Sequence, residues 1–493
     1  MKTRTVCVSA LMGLSLVSVA VSPVWAQAKP KSKAERVAPD IKLAPEVEAA
    51  KLRDAALKSN EAYAFVSHLT TRFGARPAGS DSERNSAVWA AEELKKMGFD
   101  NVRIDTFPLA LWQRGAESLE ITGPFAQKMV VTALGGSGAT PPEGVTGEAA
   151  IFETYQDFTT STADLKGKIV VILQPTVRTQ TGVGYGVNSG SMRRQGPEAA
   201  KARGAIGYVM RSLGTEDHRF AHTGATRFLG DEGLAALAIS PPDAEQFERL
   251  LKLQREGKAG PLTLKMVSTP KFLGNGTSQN VIAEIKGRNR PNEIITIGGH
   301  LDSWDLGTGA TDDGAGVAIT MAAAKVMIDH KMRPERTVRV VFWGSEEVSQ
   351  PGDKGLSGAT AYAEKYAVAG SNETHIAAAE SDFGADVVYS LSLPKASDET
   401  FKAKLGNVLY PLNIYTDRAD STGGGPDTGP LKNKDVPVFD LQQNGTDYFD
   451  VHHTVDDVLE RIDPKKMDQN VAAWAATVWM IANTSVTFAP NPK

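Results

Sequence analysis

The chain has 493 residues, 41% of them hydrophobic and 23% charged, with a formal net charge of −4 and one cysteine. That length predicts two or three domains with a sizeable apolar core. The mild acidity argues against nucleic acid or an anionic membrane as a partner.

Lys2 and Arg4 precede an apolar stretch from about Val6 to Val21, and Val24-Trp25-Ala26 places small residues where signal peptidase reads. The pattern predicts a signal peptide over 1–26, removed after Ala26, and an exported protein, secreted or periplasmic. Cys7 lies inside that segment and too early to anchor a lipid, so the remainder has no thiol, disulfide or Cys-based metal site. No later stretch is long enough to cross a bilayer, so no membrane anchor is expected. Residues 27–44 are rich in Lys, Ala and Pro and read as a flexible leader.

From Pro45 to about Phe73 apolar positions recur at helical spacing, and a second helical pattern runs near Asp81–Met97, with Ser80 or Asp81 as its cap. "NVRIDTF" (101–107) alternates like a strand. Residues 45–118 read as the first part of a catalytic domain. Over 119–270 the texture changes to short strands such as "KIVVIL" (168–173) and "AIGYVM" (205–210), many glycines and one clear helix at 242–256, as in a compact β-rich insert. From Gln279 strands and helices alternate. Strands are expected at 279–287, 293–299, 337–344, 375–381 and 436–442, and helices near 313–330, 358–367 and 464–483. This rhythm predicts an α/β fold with a mixed, mostly parallel sheet flanked by helices, its second part spanning 271–485 before a tail over 486–493.

Ligands bind beyond the carboxyl ends of strands in such a sheet. Here one strand leads into His300-Leu-Asp302, the next into Glu346-Glu347, a third into Asp382, and a fourth through a short loop into His452-His453. Each has a bland reading: an acidic pair as a solvated helix start, a lone Asp as a turn former, a His pair as a satisfied surface cluster. Four strand ends that bring imidazole and carboxylate to one edge are harder to dismiss, because zinc takes those two ligand types and two close zincs need a bridging carboxylate.

The set His300-x-Asp302, Asp312-Asp313-x-x-Gly316, Glu346-Glu347, Asp382 and His453-Thr454 resembles the co-catalytic di-zinc exopeptidases of the leucyl aminopeptidase and glutamate carboxypeptidase II type. "GGHLDSWDLGTGATDDGAG" (298–316), "ESDFGAD" (380–386) and "DPKKMDQNVAAWA" (463–475) resemble most nearly the carboxypeptidase Q branch of that family. The likeness runs from about Pro45 to Asn483 and includes the insert, which is similar to a protease-associated domain. The resemblance implies two Zn²⁺ ions per chain. Asp312 would bridge them, His300 and Asp382 would complete one set, and Glu347 and His453 the other. It also implies Glu346 as general base, and Asp302 as the group that holds the other nitrogen of His300.

Two departures bear on the substrate. Some relatives carry a tyrosine before the ligand histidine to steady the tetrahedral intermediate, whereas this chain has His452. The loop 417–430 matches the family's specificity region only loosely, and offers Asp420 and Asp427 for an α-amine and Arg418 for an α-carboxylate. Both signs within that loop, together with the resemblance, imply a short peptide gripped at both ends, with the insert or a homodimer partner closing the site. The alternatives are an aminopeptidase acting on longer peptides, a non-catalytic binding ectodomain, and a glutaminyl cyclase-like enzyme. His218, His222, His68, His330 and His375 read as background, as do Gly307 and Gly309, which make only half of a dinucleotide fingerprint. Trp474 and Trp479 read as core.

Overall fold

The computed structural model describes residues 43–490, apart from 228–231, 353, 395–396 and 417–422. The expected signal peptide, nearly all of the leader, and Arg418 and Asp420 therefore lie outside the described residues.

A five-stranded sheet runs in the order Asp100–Gln113, Lys271–Ile285, Arg336–Trp343, Arg290–His300, Thr374–Glu380. Arg290–His300 is parallel to both its neighbours, whereas the first two pairings are antiparallel. The sheet is mixed as expected, but it is half rather than mostly parallel. The reason is topological. The chain leaves the sheet at Gln113, traverses the β-rich segment and re-enters at Lys271 beside its point of exit, so those two long strands must run in opposite directions.

Burial on both faces explains why these strands read as continuous apolar runs rather than alternating ones. Ile295, Ile297, Val338, Val340, Phe342, Ala377 and Ala379 join one core with residues of helices Pro45–Ala56, Glu61–Phe73, Asp81–Lys96, Ala315–Asp329 and Pro464–Asn483. Ile282, Val341, Trp343 and Ala378 form a second with helix Ser357–Tyr366. Trp474 and Trp479 are buried in the first core, as expected. The apolar pattern over 45–73 resolves into two helices separated at Asn60, whose φ of 52° no right-handed helix accommodates. Ser80, not Asp81, caps the next helix, its hydroxyl accepting from Glu83 N at 3.1 Å.

Two expectations need correction. Val438 joins the backbone of the central sheet at a single-residue bridge to Ala378, and the strand there is Asp440–Gln443, in a separate three-stranded sheet with Val388–Ser392 and Tyr415–Thr416. The segment read as a tail is also partly core: Val486 and Phe488 are buried, and Phe488 packs on Phe401 at 5.9 Å between ring centroids.

The strands from Glu117 to Ser268 form an eight-stranded sheet of their own, with helix Pro241–Arg255 packed against it. Among the described residues no helix is long and apolar enough to cross a membrane.

Candidate metal centre

Register aligns the carboxyl ends of three strands, with His300 opposite Trp343 and Gly298 opposite Glu380. Glycines let the following loops approach that closely. A Cβ on Gly316 would lie 1.7 Å from the Ser381 carbonyl oxygen, and one on Gly299 would lie 2.4 Å from Asp313 Oδ2. Both demands are met within the 298–316 motif itself.

His300, Asp302, Asp312, Glu346, Glu347, Asp382, His452 and His453 all converge at this edge. His300 Nδ1 lies 2.9 Å from the Asp302 backbone carbonyl, and His453 Nδ1 lies 3.2 Å from the Thr223 carbonyl. A carbonyl only accepts, so each Nδ1 donates, and in the neutral ring the lone pair is on the inward-facing Nε2. His300 Nε2 then faces Asp312 Oδ1 at 3.1 Å and Asp382 Oδ1 at 3.6 Å. His453 Nε2 faces Asp312 Oδ2 at 3.1 Å and Glu347 Oε2 at 3.0 Å. Each set brings one imidazole nitrogen and two carboxylate oxygens together, an arrangement that a cation reconciles; at His300 a proton serves the same end, for against the effect of burial Asp312 and Asp382 hold that imidazole well above its ordinary range. The two oxygens of Asp312 belong one to each set. Buried Asp312 Oδ2 and Glu347 Oε1 also lack a hydrogen-bond partner. The residues present therefore fit a pair of cations with Asp312 between them.

The electrostatics point the same way. Burial pushes the Glu346 carboxyl up to about 8, with Asp382, Asp302 and Asp312 adding to the shift against the opposing pull of His300. Burial likewise raises Glu347, Asp382 and Asp313. Asp312 is the exception: burial disfavours its charge, yet His452, His300 and His453 together hold it well below the usual carboxylate range. Burial brings His453 down to about 4, so its lone pair stays free.

Asp302 acts by a different atom from the one expected. Its carbonyl, not its carboxylate, meets His300 closely, the nearest carboxylate oxygen being 3.7 Å from Nδ1. The carboxylate instead accepts from the backbone N–H of Glu346 at 3.1 Å and of Glu347 at 3.3 Å, which ties the two strand ends together. Asp427 is fully buried, its backbone N–H donating to Glu380 Oε2 at 2.6 Å. It lies behind the cavity wall rather than on it, so it does not meet a substrate amine as placed.

Sequence reasoning missed the residues that hold the loops. Buried Arg76 donates to the carbonyls of Leu301 (2.6 Å), Thr308 (2.7 Å) and Gly309 (2.8 Å). Asp457 accepts from Thr311 N at 2.7 Å and Asp312 N at 3.2 Å. Its place four residues after His453 in "HHTVDD" was the available signal. Arg76 carried none. The 117–268 segment adds more. Thr223 N donates to the His453 carbonyl at 3.0 Å. His222, read as background, sits with Nδ1 2.7 Å from the His452 carbonyl and Nε2 2.7 Å from Glu216 Oε1. The Tyr185 ring stands edge-on to His452 at 4.9 Å.

Comparison with known proteins agrees with this geometry. A model of peptidase family M28 matches residues 280–478. Carboxypeptidase Q of Bos taurus is 30% identical over 426 residues, covering 86% of each chain. Aminopeptidase YwaD of Bacillus subtilis (strain 168) is 25% identical over 437 residues, covering 85% of this chain and 83% of that one. The crystal structure of a peptidase M28 precursor from Shewanella amazonensis SB2B is 40% identical with a TM-score of 0.83, covering 91% of this chain and 99% of the other. On sequence and fold together, the chain belongs to peptidase family M28, a family of zinc exopeptidases.

Proposed function

We propose that the protein is an exported exopeptidase of short peptides that holds two zinc ions, one by His300, Asp312 and Asp382 and the other by Asp312, Glu347 and His453. The observation that carries this reading is the division of the two Asp312 oxygens between two sets of inward-facing nitrogen and oxygen atoms. Zinc, when bound, supplies Lewis-acid polarisation of the scissile carbonyl and acidifies water. The chain's own residues do the rest. Glu346, beside Glu347 but outside both ligand sets, takes the proton of the attacking water. It then passes that proton to the leaving amine, a role suited to a carboxyl whose proton affinity burial has raised. The carbonyls of Asp302 and Thr223 fix the His300 and His453 tautomers. Asp302 also holds the Glu346 backbone in place.

Likeness to carboxypeptidase Q supports unblocked dipeptides as substrates, and likeness to aminopeptidase YwaD supports amino-terminal trimming as the second reading. The segment 119–270 is proposed as a protease-associated-like insert, and 1–26 as a signal peptide, so that the exported chain begins at Gln27. Amino-terminal sequencing of secreted or periplasmic protein checks the latter, and Met1 there refutes it. The decisive test of the chemistry is Glu346→Gln. Peptide hydrolysis should fall by at least about a hundredfold while metal content stays at the wild-type level. Unchanged turnover removes Glu346 from the mechanism.

A further inference from the structure

A cavity of about 320 Å³ opens beside Asp382 and His452. Its walls are largely aromatic: Tyr185, Phe383, Tyr389, Tyr448 and Phe449. Its charged lining is all acidic, from Glu380, Asp382 and Asp440, with no Lys or Arg among the described lining residues. Asp382 is committed to the metal centre. Glu380 is spoken for on one oxygen by the backbone of Asp427. Asp440 has no part in the mechanism, and its half-buried carboxylate meets no hydrogen-bond or ion-pair partner among the described residues. A partly buried carboxylate with no partner among the described residues favours a cation that arrives to pair with it.

Position narrows what arrives. Ala378 bridges Val438 in parallel, but the chain then leaves that register: Glu380 N donates to the Gly424 carbonyl, and Asp440 opens a strand paired with Val388–Ser392. Burial alone pushes the Asp440 carboxyl up to about 6, with none of the metal-centre charges contributing, so it stands apart from the carbonyl under attack and from the α-amine two bonds away, where the end of a long side chain can reach it.

We propose that this cavity is a specificity pocket for a lysine or arginine side chain of the substrate, with Asp440 as the residue that pairs with the cation. The aliphatic stem passes between aromatic rings, whose faces also favour a cation over a neutral group. The inference rests on the exopeptidase reading and deepens it, for neither family membership nor the metal centre says which side chain is preferred.

The test compares dipeptides carrying lysine at either position, Lys-Ala and Ala-Lys, with the same peptides carrying norleucine. For the zinc-loaded wild-type enzyme, kcat/KM should favour lysine over norleucine at one position by at least about tenfold, the scale of one charge-assisted hydrogen bond. In Asp440→Asn that ratio should collapse to within about twofold. No lysine preference at either position, or a preference that survives Asp440→Asn, overturns the proposal. Failure to hydrolyse any of the four peptides would count against the exopeptidase reading instead. Calorimetric binding of free lysine against norleucine then decides the pocket without turnover. Tighter lysine binding that Asp440→Asn abolishes supports it, and equal binding of the two overturns it.

Discussion

At the residue scale the informative feature is that carboxyl groups are set to opposite tasks by their surroundings. Asp312 stays charged because three histidines face it, whereas burial lifts Glu346 to about 8 only a short distance away. Because both oxygens of Asp312 are engaged, Asp312→Ala should disturb both metals at once. Stoichiometry by atomic emission should drop below one zinc per chain, and retention of one full-occupancy zinc contradicts the bridge. A second residue-scale expectation lies far from the site. His375 is buried against Tyr362, its Nε2 3.1 Å from the phenol oxygen, and burial together with the Arg339 charge brings it down to about 3. The unfolded chain takes up that proton near the ordinary imidazole value, before the folded chain does. Stability from this group is therefore whole above about pH 6.5 and is lost as pH falls toward 3. His375→Gln should flatten the acid limb of urea midpoints between pH 7 and 5, at a neutral-pH cost of about 1 kcal/mol for the weakened hydrogen bond. An unchanged acid limb refutes the assignment.

At the element scale, the strands bring their ends to one edge, but the 117–268 segment holds the last loop in place. Thr223 donates its N–H to the His453 carbonyl and accepts from the His453 ring Nδ1, while His222 ties the neighbouring His452 carbonyl to Glu216. A histidine that binds metal depends on what orients its other nitrogen, and for the proposed ligand His453 that partner comes from a segment more than 200 residues away. His222→Phe should therefore weaken zinc by roughly tenfold in competition with a chromogenic chelator, although His222 touches no metal. Unaltered affinity would confine the segment to packing.

At the scale of the whole molecule, the site is a concentration of buried carboxylates that the fold tolerates because a cation is expected among them. Removing metal leaves Asp312, Glu347 and Asp382 facing one another across a desolvated gap. Metal bound only by the folded form adds RT ln(1 + [L]/Kd), about 2.7 kcal/mol at a hundred times Kd. Chelation should accordingly lower the thermal midpoint, and zinc should restore it. A midpoint indifferent to chelator contradicts a structural share for the metal.

Much of this was legible in the order of residues. Periodicity located the helices at Asp81–Lys96 and Pro464–Asn483 to within a residue or so at each end, because local propensity and one buried face act over a few turns. Residue type and motif singled out His300, Asp312, Glu346, Glu347, Asp382 and His453, because metal chemistry admits few side chains and strand ends present them. Tertiary structure alone decided the rest. It made the sheet half parallel, since strand direction depends on where the chain re-enters. It moved the Asp302 contact from carboxylate to carbonyl and buried Asp427 behind the wall, since a dihedral or a neighbouring loop settles which atom faces a cavity. It brought Arg76, His222 and Thr223 to the metal loops across the fold, a proximity that no spacing along the chain encodes.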